Sequence, residues 1–147
     1  MDNMTDIRIT QDSLHTLTAL CLSALPHECC GLLTAPVSSN GQEAAITITG
    51  VVPVANIHPQ PETGFAFDPA EWVEAYFRIT KNRQHIAGMY HSHPSSPPVP
   101  SVRDLEGLPQ EEASTHWIVS LSNPQRPAVK PYRRNGNQLT AIPLVIA

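Results

Sequence analysis

The 147-residue chain is predicted to fold as an α/β protein in which one mixed β-sheet is flanked by helices. Three observations carry this expectation. Short apolar runs bounded by turn residues recur as strands do, two segments show helical periodicity behind recognisable caps, and the two kinds of element are interspersed rather than segregated. The length is near the modal size of a domain, enough for one substantial core, so residues 1–147 are read as a single domain.

The elements are read in order. Residues 7–9 form a first short strand, after which Thr10 caps a helix carrying Leu14, Leu17, Cys21, Ala24 and Leu25 on one face. Pro26 ends that helix, because the residue before a proline is pushed out of the α region. Residues 29–33, CCGLL, read as a buried strand, followed by the polar turn Ser38-Ser39-Asn40-Gly41. Asn40-Gly41 suggests a hairpin into a strand over residues 45–54. Asp68, Pro69 and Glu71 supply an N-cap, an N1 proline and an N3 glutamate, and Trp72, Ala75, Tyr76 and Ile79 give the helix behind them its apolar stripe. Further strands are predicted at residues 85–92, 116–121, 128–133 and 138–146. No internal repeat is present.

The chemistry concentrates in the run YHSHPSSPPVPSVRD, where His91, His93, Ser101 and Asp104 have the spacing H-x-H-x7-S-x-x-D. On a strand, positions i and i+2 share a face about 6.6 Å apart, so the two imidazoles can converge on one ion while Ser92 points away. Pro94, Pro97, Pro98 and Pro100 then forbid both helix and strand, and the chain leaves the sheet as a stiff loop. Ser101 ahead of Asp104 and Leu105 reads as a helix start that can return Asp104 toward the histidines. Two imidazoles, a carboxylate and a hydroxyl leave one coordination position open, the arrangement of a catalytic metal site. Taken alone, S-x-x-D is equally the pattern of a capping box, and a solitary H-x-H is commonly a pair of surface or core histidines. Their combination between a strand and a helix start favours metal. Glu28, at the edge of a buried strand, is the candidate remote carboxylate, although a glutamate at such a turn is ordinarily solvated. His15, His27, His58, His85 and His116 are read as solvated or hydrogen-bonding residues.

The segment GMYHSHPSSPPVPSVRD resembles the signature of the JAMM (MPN-plus) metalloprotease family, and PHECCGLL resembles the segment that bears the family's glutamate. NIHPQPETGFAFDPAEW is similar to the middle of small prokaryotic members, so the likeness runs from about Leu14 to Ser122. The resemblance implies an MPN-like domain of cytidine-deaminase-like architecture. It further implies one Zn2+ per chain on His91, His93 and Asp104, with Glu28 as general acid/base and Ser101 bonded near the reacting oxygen. The implied activity is zinc-dependent hydrolysis of an amide or isopeptide bond at the C-terminal tail of a ubiquitin-like or sulfur-carrier protein, for example releasing cysteine from a carrier adduct. The chain departs from the common pattern after Gly31, where Thr34 and Ala35 replace an often-seen glycine, outside the catalytic positions.

Other classes have less support. A net charge of −4 with no Lys/Arg-rich stretch gives no sign of a nucleic-acid partner. No apolar run approaches the ~20 residues of a membrane span and MDNMTDIRIT lacks a signal pattern, so a cytoplasmic protein is expected. H-E-x-x-H, the deaminase pattern H-x-E with P-C-x-x-C, any C-x-x-C and Gly-rich phosphate loops are all missing from the sequence. Cys21, Cys29 and Cys30, odd in number, read as buried thiols rather than a disulfide framework. A cysteine-dependent hydrolase and a non-catalytic module binding a ubiquitin-like partner stay open as alternatives. Sequence leaves the oligomeric state undetermined.

Overall fold

The computed structural model describes residues 6–37, 46–107 and 115–147; the expected turn at residues 38–41 lies outside them. Strand β1 (Ile7–Ile9) buries Ile7 and Ile9 and exposes Arg8, the period-2 pattern of a half-buried strand. Helix α1 (Gln11–Ala24) starts where Thr10 Oγ1 accepts the Ser13 amide at 3.1 Å, and it buries Leu17 and Cys21. Strand β2 (Cys30–Pro36) is buried through Ala35, as a central strand must be. Strands β3 (Ile46–Ile48) and β4 (Gly50–Val54) precede helix α2 (Pro69–Lys81), whose N-cap Asp68 accepts from the Ala70 and Glu71 amides. Glu71 does not complete a reciprocal capping box; its Oε1 accepts the Ala55 amide at 2.9 Å and ties the helix to the end of β4. The chain continues through β5 (Gln84–His93), α3 (Val102–Gly107), β6 (Thr115–Ser120), β7 (Ala128–Asn135), β8 (Gln138–Ala141) and β9 (Leu144–Ile146).

The expected mixed sheet is six-stranded, in the order β4-β2-β5-β6-β7-β8, and a three-stranded sheet, β3-β1-β9, lies beside it. In the large sheet only β5 and β6 run parallel; the other pairs are antiparallel. The two longest predicted strands are each divided between the sheets. The run over residues 45–54 breaks at Thr49, whose amide turns to the Thr34 carbonyl at 2.9 Å, and a side chain at Gly50 would collide with Thr34 Oγ1. The run over residues 138–146 breaks at Ile142-Pro143, where proline has no N–H for a ladder and its carbonyl accepts the Ile7 amide at 3.0 Å. Apolar periodicity detects both runs but not the transfer from one sheet to the other.

The large sheet separates two apolar clusters. One face packs Leu33, Tyr90, Trp117 and Val119 against Ile7, Ile9, Leu17, Cys21 and Ile48 from α1 and the small sheet. The opposite face packs Leu32, Val54 and Met89 under Ala75 and Ile79 of α2, with Trp72 at the margin. Tyr76, expected on the α2 stripe, is instead 48% exposed and lies edge-on to Phe77, because the inward arc is already filled by Trp72, Ala75 and Ile79.

Gly31 sits where β2 passes between its neighbours, and a Cβ there would meet the Val52 carbonyl and the Tyr90 ring. Gly31→Ala is therefore expected to lower stability by about 1–3 kcal/mol through overpacking. Thermal unfolding of the variant beside the parent checks this; an unchanged Tm would contradict it.

Candidate metal centre

The alternation of β5 arranges the centre. His91 and His93 project from one face, and Ser92 between them turns to the other, where its Oγ accepts the Cys29 amide at 2.8 Å and its own amide donates to the Cys29 carbonyl at 2.9 Å. Register places His91 between Cys30 and Ile118, and His93 beside Ser120. The two histidines thus stand at the C-terminal end of the one parallel pair in the large sheet, the edge where crossover connections leave room for a site.

Asp104 returns to them from the first turn of α3. Its Oδ1 lies 3.1 Å from His91 Nε2, its Oδ2 lies 3.1 Å from His93 Nε2, and the two Nε2 atoms are 3.2 Å apart. All three residues are buried. His93 Nδ1 lies 2.7 Å from the Pro97 carbonyl, an oxygen that can only accept, so the proton of a neutral ring is on Nδ1 and Nε2 presents a lone pair. A tetrahedral ion about 2.0–2.2 Å from nitrogen and oxygen ligands spaces them roughly 3.3 Å apart. The donor types and their spacing therefore fit a divalent cation, and His91, His93 and Asp104 form a candidate metal group.

The capping and metal readings of S-x-x-D turn out to be compatible. The Ser101 amide donates to Asp104 Oδ2 at 2.9 Å and the Asp104 amide donates to Ser101 Oγ at 3.1 Å, a reciprocal capping box. The same bonds aim the carboxylate at the imidazoles. The proline-rich loop is held by its carbonyls, since the prolines have no amides to give. Ser120 Oγ donates to Ser96 O at 2.6 Å, His93 bonds Pro97 O, and the Tyr132 hydroxyl donates to Pro98 O at 2.5 Å. Phe65 stacks on the His91 ring at 4.3 Å and 17°. Ser120, Tyr132 and Phe65 were not singled out from sequence, because a hydroxyl or phenyl ring distant in the chain has no local spacing to reveal it.

Electrostatics follow burial and contact. Burial pushes Asp104 up, but the bonds from His91 and His93 outweigh it and hold the carboxyl well below the usual range. Burial also lowers His91, against the pull of Asp104, whereas at His93 burial is outweighed by Asp104 and the Pro97 carbonyl, which raise it. Glu28 is 7% exposed just ahead of β2, and its Oε1 is buried with no hydrogen-bond partner among the described residues. It lines a cleft of about 450 Å³ together with His93, Ser101, Arg103, Asp104 and Thr63. Burial raises its pKa to about 7; His93 and Arg103 oppose that rise and Asp104 adds to it.

The structure thus brings His93, Asp104, Ser101 and Glu28 to one cleft, with His91 buried beside it against Asp104. His15 and His27 are exposed, and His58 and His85 are half-buried, with His58 Nδ1 accepting the Gln60 amide. His116 departs from the expectation of a solvated or hydrogen-bonding residue. It is 2% exposed, neither ring nitrogen has a hydrogen-bond partner among the described residues, and burial, aided by Arg134 and His91, lowers its pKa to about 4. It is a neutral core residue because β6 is covered on both faces. None of the three thiols lines the cleft: Cys30 donates to the Val54 carbonyl, and burial pushes its pKa up to about 12.

Fold and site together define an α/β protein with a buried His-His-Asp group, a candidate metal site, beside the buried Glu28 carboxyl. The chain belongs to the family of prokaryotic homologs of the JAB domain, whose model matches residues 10–135. It is 38% identical over 81 residues to a desampylase of Haloferax volcanii, a match covering 55% of this chain and 54% of that protein. It is 36% identical over 56 residues to a probable TtuB-protein conjugate cleaving protease of Thermus thermophilus, covering 38% of each. The matched segment spans about half the length of the first relative and less of the second. The solution structure of a Desulfitobacterium hafniense protein superposes with a TM-score of 0.83 at 28% identity, over 96% of this chain and 92% of that one. A JAB1/MPN domain protein of Archaeoglobus fulgidus shares the fold, with a TM-score of 0.58 at 20% identity over 96% and 99% of the chains. Among the described residues no helix is long and apolar enough to cross a membrane.

The raised pKa of Glu28 has a consequence for stability. The folded state favours the protonated acid, so its contribution is full below about pH 4.5 and is lost as the pH rises through about 7. Glu28→Gln removes that loss. The metal-free variant is expected to be about 1–3 kcal/mol more stable than the parent at pH 8, with a smaller gain at pH 5. Urea unfolding at the two pH values measures it, and an equal gain at both would contradict the assignment.

Proposed function

We propose that this protein is a zinc-dependent metallopeptidase or isopeptidase that hydrolyses the amide or isopeptide bond joining the C-terminal tail of a ubiquitin-like or sulfur-carrier protein to its adduct. One observation carries the reading: three ligand atoms stand at ion-binding spacing, and two of the residues that bear them, His93 and Asp104, share a cleft with Glu28, whose buried Oε1 has no hydrogen-bond partner among the described residues. His91, His93 and Asp104 would hold one zinc, the ion suited to two imidazoles and a carboxylate. When bound, zinc supplies Lewis acidity, polarising the scissile carbonyl and making water more acidic.

The chain's own groups do the rest. Glu28 Oε1, with no competing bond among the described residues, accepts the proton of the attacking water and later delivers it to the departing amine. Ser101 Oγ uses a lone pair for the Asp104 amide, which leaves its hydroxyl hydrogen to stabilise the developing oxyanion. Glu28 and Ser101, rather than a thiol, therefore serve the reaction, and no acyl-enzyme intermediate is required. The names of the relatives, a desampylase and a protease that cleaves TtuB-protein conjugates, support a protein conjugate as the substrate class.

The test is incubation of the zinc-loaded protein with carrier-protein conjugates, with and without chelator, read by mass spectrometry. Chelator-sensitive mass loss is expected; no loss from any conjugate would favour a binding module. Glu28→Ala should lower kcat by roughly 10²–10⁴-fold while one metal per chain remains. His93→Ala and Asp104→Ala should lose the metal, as measured by elemental analysis after dialysis. A Glu28→Ala protein with normal turnover would refute the role given to that residue.

A further inference from the structure

Glu28 lies outside the β-ladder, so something other than strand pairing must fix its place. The antiparallel register of β2 with β4 ends at the Cys30–Val54 pair. Continued two residues further, that register sets Asn56 opposite Glu28. The backbone of Asn56 has already turned away to bridge Phe67, and the Ile57 amide donates to the Ala66 carbonyl at 2.9 Å. The Asn56 side chain fills the gap. Its Nδ2 donates to the Glu28 carbonyl at 3.0 Å and to the Gly64 carbonyl at 3.0 Å. Its Oδ1 accepts the amides of His58 and Ala66, both at 3.0 Å.

All four capacities of the carboxamide are therefore used, and the partners settle its orientation, since a flipped amide would face donors with donors and carbonyls with a carbonyl. The loop so folded returns to Glu28 a second time: the Glu28 amide donates to the Pro61 carbonyl at 2.7 Å. Both sides of the Glu28 residue are thus held by one loop, and that loop is held by Asn56. The same loop carries Thr63 to the cleft wall and ends at Phe65, against His91.

We propose that Asn56 is the positioning residue of the general base, setting where the Glu28 carboxyl stands in the cleft without touching substrate or any of the three ligand residues. The inference rests on the catalytic reading of Glu28 given above. Asn56→Asp divides the function of the side chain in two. A carboxylate still accepts the His58 and Ala66 amides, but its second oxygen opposes the carbonyls of Glu28 and Gly64, which it cannot satisfy.

The experiment measures turnover, metal content and site-resolved amide exchange on the whole zinc-loaded chain. For Asn56→Asp, kcat should fall roughly 10–100-fold, the scale of a displacement near 1 Å, with KM within about twofold of the parent and one metal per chain. The Glu28 amide should exchange at least about tenfold faster, while the His58 and Ala66 amides keep their protection. Unchanged turnover, a loss of turnover with Glu28 still protected, or equal loosening of all three amides would each overturn the proposal. If the parent cleaves no conjugate, the catalytic reading fails first; the exchange pattern then decides separately whether Asn56 holds Glu28. Should Asn56→Asp not fold, Asn56→Ser, too short to bridge both sides, is read in the same way.

Discussion

Two imidazole nitrogens and a carboxylate lie 3.1–3.2 Å apart, a spacing that needs a shared proton or a cation between them, and much of this structure holds them there. The strand sets the side from which the imidazoles approach. The capping box fixes the carboxylate, the Pro97 carbonyl fixes one ring, and Phe65 lies flat on the other. Each restraint comes from a different element. Together these restraints fix the positions of all three side chains, which limits the ordering cost of binding an ion there.

Glu28 obeys the opposite logic. Its burial without a partner opposes ionisation, and a structure optimised only for stability would exchange it for a neutral residue. Such a group is characteristic of a functional site, where a raised carboxyl pKa suits proton transfer near neutrality. A nearby divalent charge would draw that pKa down again, so the poise of Glu28 and the filling of the metal group belong to one electrostatic system.

Much of the site was legible because its chemistry is local in sequence. H-x-H needs only the two-residue period of a strand, and S-x-x-D needs only the first turn of a helix, so spacing alone implied that His91, His93 and Asp104 could meet. Both major helices were also readable, from Thr10 and from Asp68-Pro69. What escaped was whatever depends on long-range placement. Asn56 acquires its importance from standing opposite Glu28, Tyr132 from facing a loop 34 residues away, and His116 its isolation from burial on both faces of β6. The two divided strands escaped for a related reason, since an apolar run looks the same whether it stays in one sheet or changes to another.

The proline-rich loop is gripped through main-chain oxygens at Ser96, Pro97 and Pro98. Every residue type carries that oxygen, so the tie between His93 and the loop does not depend on which side chains the loop bears, only on the path of its backbone. The loop is free to diversify its outward groups, and with them the surface it offers at the rim of the cleft, without disturbing the contact between His93 Nδ1 and the Pro97 carbonyl. Tolerance of change and constancy of geometry are here properties of the same loop, residues 94–100, separated between side chain and main chain.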